Sequence, residues 1–232
     1  MPGRRITKRE MKEDRLVTFA LRAFDYVREN AGRMAVVAVV MVFVVVGAVY
    51  VSHVRKDSED KASFLLAQGN SEYWAGRMAS AQSFFSEAST RYPGSTDGRI
   101  GRLRLGDTQL FLGRYSDAIE SYRDFLKREK KNQVLVLSAR RGLAIAYEDQ
   151  KNYVEAAQEY EGIANSFPKG DQQVAALLDA VRSLRSGGRT EDAVKILKQV
   201  VSQYPDTRNI RQIKSLLFEL EARSKGKPGA AS

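Results

Sequence analysis

The sequence has no cysteine, one histidine, one tryptophan and only five prolines among 232 residues. The missing cysteines exclude disulfides, thiol chemistry and thiolate metal sites, while leaving the compartment open. A lone histidine, His53, leaves no Cys/His cluster at metal-ligand spacing. Also absent are G-x-S-x-G, a phosphate-binding P-loop and a G-x-G-x-x-G at a strand-to-helix turn. The paired acids Glu148-Asp149 and Glu191-Asp192 lie near expected helix ends, where they serve as caps or solvated charge. No catalytic residue, cofactor site or metal site is expected, and the chain does not read as an enzyme. Few prolines and little alternation of β-branched residues point to an all-α fold.

The net charge is +10, which raises the question of nucleic acid. Its distribution argues against that partner. Residues 1–33 carry nine basic residues, Arg55 and Lys56 add two more, and residues 57–232 hold 27 basic against 23 acidic. Spread over a large surface, that last excess reads as ordinary solvated charge.

What the sequence has in plenty is valine. Met34 to Ser52 reads MAVVAVVMVFVVVGAVYVS, with ten valines and no charge. At ~1.5 Å per residue, such a helix spans about 28 Å, close to the ~30 Å of a bilayer core. A transmembrane helix is expected over 34–54, with Tyr50 and His53 at its interface end. The segment ahead, 1–33, is too long and too organised for a cleaved signal. Within 15–31, Leu16, Phe19, Ala20, Phe24 and Val27 share one helix face, opposite Arg15, Thr18, Arg22, Asp25 and Glu29. Such an amphipathic helix can lie on a membrane or pack on a partner protein, and the pattern does not choose. Nine Lys/Arg precede the apolar run, and three (Arg55, Lys56 and Lys61) follow within eighteen residues. By the positive-inside rule the N-terminus is expected in the cytoplasm. The rest of the chain is then expected beyond the cytoplasmic (inner) membrane, in the periplasm of a two-membrane cell.

The remainder repeats itself. GRMASAQSFF starts at Gly76, GRYSDAIESY at Gly113, KNYVEAAQEY at Lys151 and GRTEDAVKIL at Gly188, so the starts are 37, 38 and 37 apart. Each copy opens on glycine or on Lys-Asn, and glycine and asparagine tolerate the left-handed backbone that ends a helix. A stripe at three- and four-residue spacing follows, such as Tyr115, Ala118, Ile119, Tyr122 and Phe125, which is one face of a helix. The sixth residue is always alanine (Ala81, Ala118, Ala156, Ala193), and the residue four later is large (Phe85, Tyr122, Tyr160, Leu197). A second amphipathic helix precedes each copy, so the unit is helix, tight turn, helix. Three units close on an aromatic and a proline, at 92–93, 167–168 and 204–205; the second uses KREKKNQ instead. A period of this length marks a stacked-repeat architecture.

These residues resemble the tetratricopeptide repeat family. Gly69, Ala81, Phe85, Ala88 and Pro93 carry the likeness in the first unit. In the second it rests on Leu105, Gly106, Tyr115, Ala118 and Tyr122, and in the third on Leu143, Ala144, Tyr147, Tyr153, Ala156, Tyr160 and Pro168. The fourth is degenerate. The resemblance implies about four helix pairs over 57–205, with units near 62–95, 99–132, 137–170 and 174–207. A capping helix over 208–224 and a disordered tail over 225–232 complete the expected layout, since a repeat stack needs its apolar end covered.

The resemblance also implies a concave groove lined by the first helix of each pair. In this chain that register selects Leu66, Asn70, Tyr73 and Trp74, then Ile100, Leu103, Asp107, Leu110 and Phe111. Farther along it selects Arg141, Ile145 and Glu148, then Leu178, Arg182 and Arg185. Leu66, Tyr73, Trp74, Leu110 and Phe111 would form an apolar patch, and Arg141, Arg182 and Arg185 a basic section. Trp74 can equally pack inside the first helix pair. The carboxylate clamp of some family members is not expected, because Leu66 and Asp107 replace its lysine and one asparagine.

The architecture as a whole resembles the ancillary subunit family of the bacterial Sec translocon. That likeness implies a membrane-anchored adaptor or chaperone-like protein that binds polypeptides or protein partners, translocon subunits among them. Two alternatives stand beside it. One is a structural scaffold of an envelope complex that oligomerises through its solenoid, the other a mitochondrial import-receptor-like protein.

Overall fold

The structure is a computed structural model that describes Thr18, Phe19, Phe24, Tyr26, Arg28 and residues 30–225. Nine helices are delimited among the described residues, with no strand. They are α1 (Ala31–Trp74), α2 (Met78–Arg91), α3 (Thr96–Phe111), α4 (Tyr115–Arg128) and α5 (Gln133–Asp149). Then follow α6 (Tyr153–Ala164), α7 (Asp171–Ser186), α8 (Thr190–Gln203) and α9 (Ile210–Lys225). The chain forms two compact units, Met1–Lys56 and Asp57–Ser232.

The part of α1 in the first unit holds the valine run, and α1 is the one described helix long and apolar enough to cross a membrane. Its side chains from Val36 to Val51 are exposed, and Gly47 meets nothing. Of the surface helix expected over 15–31, Phe19, Phe24 and Tyr26 are described, helical and exposed. Leu16, Ala20 and Val27 lie outside the described residues, as do the basic residues before Thr18 and the tail from 226 onward.

In the second unit each helix from α2 to α9 packs on its neighbour in the chain, and α3 also packs on α5. The repeat alanines Ala81, Ala118, Ala156 and Ala193 are fully buried, and the large residues four later are buried with them. Each aromatic needs a seat, and a small residue on the preceding helix provides it. A Cβ on Gly69 would lie 2.5 Å from the Phe85 ring, and one on Gly106 would lie 2.8 Å from the Tyr122 ring. Tyr122 is clamped from its other side by Gly142 of α5, where a Cβ would lie 2.4 Å from the ring. Neighbouring pairs are thereby keyed together, and burial of these stripes is the main stabilising term.

The four tight turns each pass through the left-handed region, at Gly76, Gly113, Lys151 and Gly188, with φ of 77°, 71°, 62° and 71°. In the third turn the expected carrier was asparagine. Instead Lys151 takes the positive φ, while Asn152 sits at −85°. The backbone repeat is stronger than the residue preference there, because helix α6 must start in the same register as its counterparts.

The unit boundaries are held by polar contacts. Glu59 accepts the Thr96 amide on both carboxylate oxygens, at 3.0 and 2.9 Å, at the N-terminus of α3. Ser95 caps the same helix, accepting from the Gly98 amide at 2.9 Å. Where the second unit lacks its proline, Glu129 makes the turn. Its Oε1 accepts the amides of Lys131 and Asn132 at 2.8 and 3.0 Å, and Oε2 accepts from Arg99 of α3 at 3.2 Å. Helix α9 covers the far end, burying Ile213 and Leu220 in the core.

Candidate functional site: a groove on the first helices

An open cavity of about 560 Å³ lies along α1, α3 and α5 in the repeat unit. Of the expected groove residues it brings together Tyr73, Ile100, Leu103, Asp107, Leu110, Phe111, Arg141 and Ile145. Leu103 is not a free groove residue: it is 4% exposed and packs with Tyr122 and Leu143 as the floor. Leu66 turns toward the core, packing with Ala81, Phe85 and Leu105. Asn70 is half-buried and outside the cavity lining. Phe111 stands out at 66% exposure, because α3 ends at it and the chain turns away through Gly113.

Trp74 does not pack inside the first helix pair. It is 82% exposed and meets Tyr73 edge-on, with ring centroids 5.6 Å apart. It therefore extends the aromatic rim without lining the cavity.

The polar part of the cavity centres on Asp107. Tyr122 donates its hydroxyl to Asp107 Oδ1 at 2.9 Å, and Arg104 donates to Oδ2 at 3.3 Å. Burial nevertheless wins at Asp107 and pushes its carboxyl above the usual range, against the pull of Tyr122 and Arg104. Burial also raises the Tyr122 phenol, with the Asp107 charge adding to it, so the ring stays neutral and donating. Arg104 lies on the same helix face as Ile100, Leu103 and Asp107. The 3.6-residue period would have placed it in the groove, and it belongs in the candidate set with Leu135 and Ser138 of α5.

The farther groove residues gather separately. Leu178, Arg182 and Arg185 line a smaller cavity of about 220 Å³ with residues of α9. The expected basic section is weaker than its count of arginines. Arg182 pairs with Glu148 at 3.5 Å and Asp179 at 3.4 Å, donates to the Tyr160 hydroxyl at 3.3 Å, and lies over that ring. Its charge is thus compensated in place. Arg141 and Arg185 make no ion pair with any described residue and supply the section's free charge.

This arrangement can grip side chains. It offers an apolar floor, an aromatic rim and one carboxylate held by its neighbours. Residues 103–171 match the tetratricopeptide repeat family, and residues 147–217 match a second description of the same repeat. Together the two matches run over residues 103–217, from α3 into α9. Among solved structures it is similar to a tetratricopeptide repeat protein from Parabacteroides merdae ATCC 43184. The identity is 16%, the match covers 72% of this chain and 75% of that one, and the TM-score is 0.33. No curated protein matches the chain.

Proposed function

We propose that this protein is a membrane-anchored tetratricopeptide adaptor that holds extended, unfolded polypeptide in its groove outside the cytoplasmic membrane. The single observation that carries the reading is the cavity along α1, α3 and α5, with exposed Phe111 and half-buried Tyr73, Leu110 and Leu135 around it. Apolar surface left open on a helical face marks an interaction site, and aromatic rims hold varied side chains without exact pairing. The one acid there, Asp107, is already engaged by Tyr122 and Arg104, which leaves Arg141 as the free charge beside the apolar lining.

The anchor reading rests on the valine run of α1, and the outward placement of the repeats on the charge asymmetry around it. An anchored groove works at high effective concentration toward chains emerging nearby, so a weak site suffices. That is the arrangement of an ancillary subunit beside the Sec translocon.

Trp74 is the sole tryptophan and stands at the rim, so its fluorescence reports on the groove. An unfolded model polypeptide is titrated into the full chain in neutral nanodiscs. The parent saturates, and Leu110→Ser/Phe111→Ser loses most of the affinity while staying helical. A parent that does not bind, or a folded variant that binds equally, removes the reading. Mass measurement of the mature protein tests the anchor separately: loss of the residues before 55 would make the run a cleaved signal.

A further inference from the structure

Basic residues of the repeat unit gather at one turn. Lys127, Arg128, Lys130 and Lys131 stand at the end of α4 and in the following turn, all exposed. Arg99 and Arg102 of α3 lie beside them, tied to Glu129 and Asp124. Among the ion pairs of the described residues, only those two acids answer the six basic groups.

Two details make the patch more basic than the sequence KREKK suggests. Its one acid, Glu129, turns inward and is consumed by two backbone amides and Arg99. The other, Asp124, is shared between Arg102 and Arg128, at 3.4 and 3.3 Å. The ammonium groups of Lys127, Lys130 and Lys131 make no hydrogen bond or ion pair with any described residue. Glu129 already does the structural work of the turn through backbone amides, so the lysine side chains have none. The three sister turns use an aromatic and a proline instead. A departure from the repeat that the fold does not need points to function.

We infer that this basic turn is a docking surface for an anionic bilayer, and that it lays the second repeat against acidic lipid headgroups. Three observations select that partner. The crevice beneath, lined by Ser89, Pro93 and Phe125, holds only about 10 Å³, so no ligand side chain can be gripped. The free charge is carried by lysine, a mobile hydrated point charge suited to a fluid surface rather than to bidentate pairing. Phe125 is buried, so no aromatic is offered for stacking a base. A polybasic surface of this kind gains affinity from each lysine brought near an anionic membrane. The inference takes from the proposed function only that a membrane is at hand, and it does not involve the groove.

The chain has no cysteine, so Gln133→Cys gives a unique site beside the turn for a fluorescent donor. Full-length protein is placed in nanodiscs of phosphatidylcholine, and incorporation is verified first, which tests the anchor alone. Vesicles carrying a headgroup acceptor are then added, either phosphatidylcholine or phosphatidylcholine with phosphatidylglycerol. Energy transfer is expected with the anionic vesicles only, and it fades as salt rises. Lys127→Ser/Lys130→Ser/Lys131→Ser should weaken association roughly a hundredfold, with thermal unfolding and polypeptide binding in the groove unchanged. Equal transfer to neutral vesicles, or a triple variant that docks like the parent, overturns the inference. Binding of polyglutamate without docking to anionic vesicles also overturns it, and reassigns the patch to an acidic protein segment.

Discussion

The Tyr122 hydroxyl donates to Asp107 Oδ1 at 2.9 Å, joining the wall of the groove to the most buried aromatic of the second repeat. Binding surface and core are therefore one object at this point. Asp107 carries a raised carboxyl because burial outweighs its partners. A raised folded-state value means that the folded protein prefers the protonated acid. The associated stability is present below the ordinary carboxylate range and is lost as pH rises through the folded value. Asp107→Asn keeps an acceptor for Tyr122 and removes that slope. Urea unfolding from pH 3 to pH 7 should show the variant gaining on the parent as pH rises. A constant difference across that range would mean that burial does not govern this carboxyl.

The seat of Tyr122 gives a second expectation. Gly106 and Gly142 face its ring from α3 and α5, both too close for a Cβ. Gly106→Ala and Gly142→Ala should each destabilise by about 1–3 kcal/mol through overpacking, as should Ala118→Leu. Gly94→Ala, where a Cβ meets nothing, is the matched control. Denaturant midpoints decide, and a loss at Gly94 equal to that at Gly142 would refute the clamp.

How far these features could be read from the sequence depends on distance along the chain. Ala118 and Tyr122 lie one turn apart on one stripe, so periodicity exposed both. Gly142 lies twenty residues beyond Tyr122, and a glycine within a helix signals only poor propensity. The compensation of Arg182 by Glu148 crosses from α7 to α5, and no spacing rule reports it. Leu103 reads as groove because a stripe does not mark where wall becomes floor. Trp74 reads two ways because a rim position at a helix end belongs to neither face.

Lys151 offers a test in the opposite direction. It holds the left-handed conformation that glycine supplies in the sister turns, and a side chain there costs roughly 1–2 kcal/mol. Lys151→Gly should relieve most of this and stabilise the unit by about 1 kcal/mol, after the larger chain entropy that glycine loses. Gly113→Ala should destabilise by a similar amount. Thermal unfolding of the two variants beside the parent checks the pair, and shifts of the same sign would contradict the shared turn geometry.

The strongest polar dependence is expected at Glu129, whose residue is buried while its carboxylate accepts three hydrogen bonds. The Asn132 and Lys131 amides, with help from Arg99, hold its carboxyl below the usual range, more than offsetting burial. A lowered folded-state value contributes stability above the ordinary glutamate range, which is lost as pH falls through the folded value. Glu129→Gln keeps the shape and one acceptor oxygen but gives up the charge. It should cost about 1–2 kcal/mol at neutral pH, in line with lost charge-assisted hydrogen bonds at a helix start. The gap between parent and variant should then narrow as the medium is acidified below the glutamate range. Because Glu129 joins the end of α4 to α3 and to the start of α5, the damage should be local. Hydrogen exchange should quicken first in the opening turn of α5, around Leu135 and Val136, while α7 and α8 keep their protection. Uniform quickening across all repeats would show that this carboxylate holds the whole stack rather than one turn.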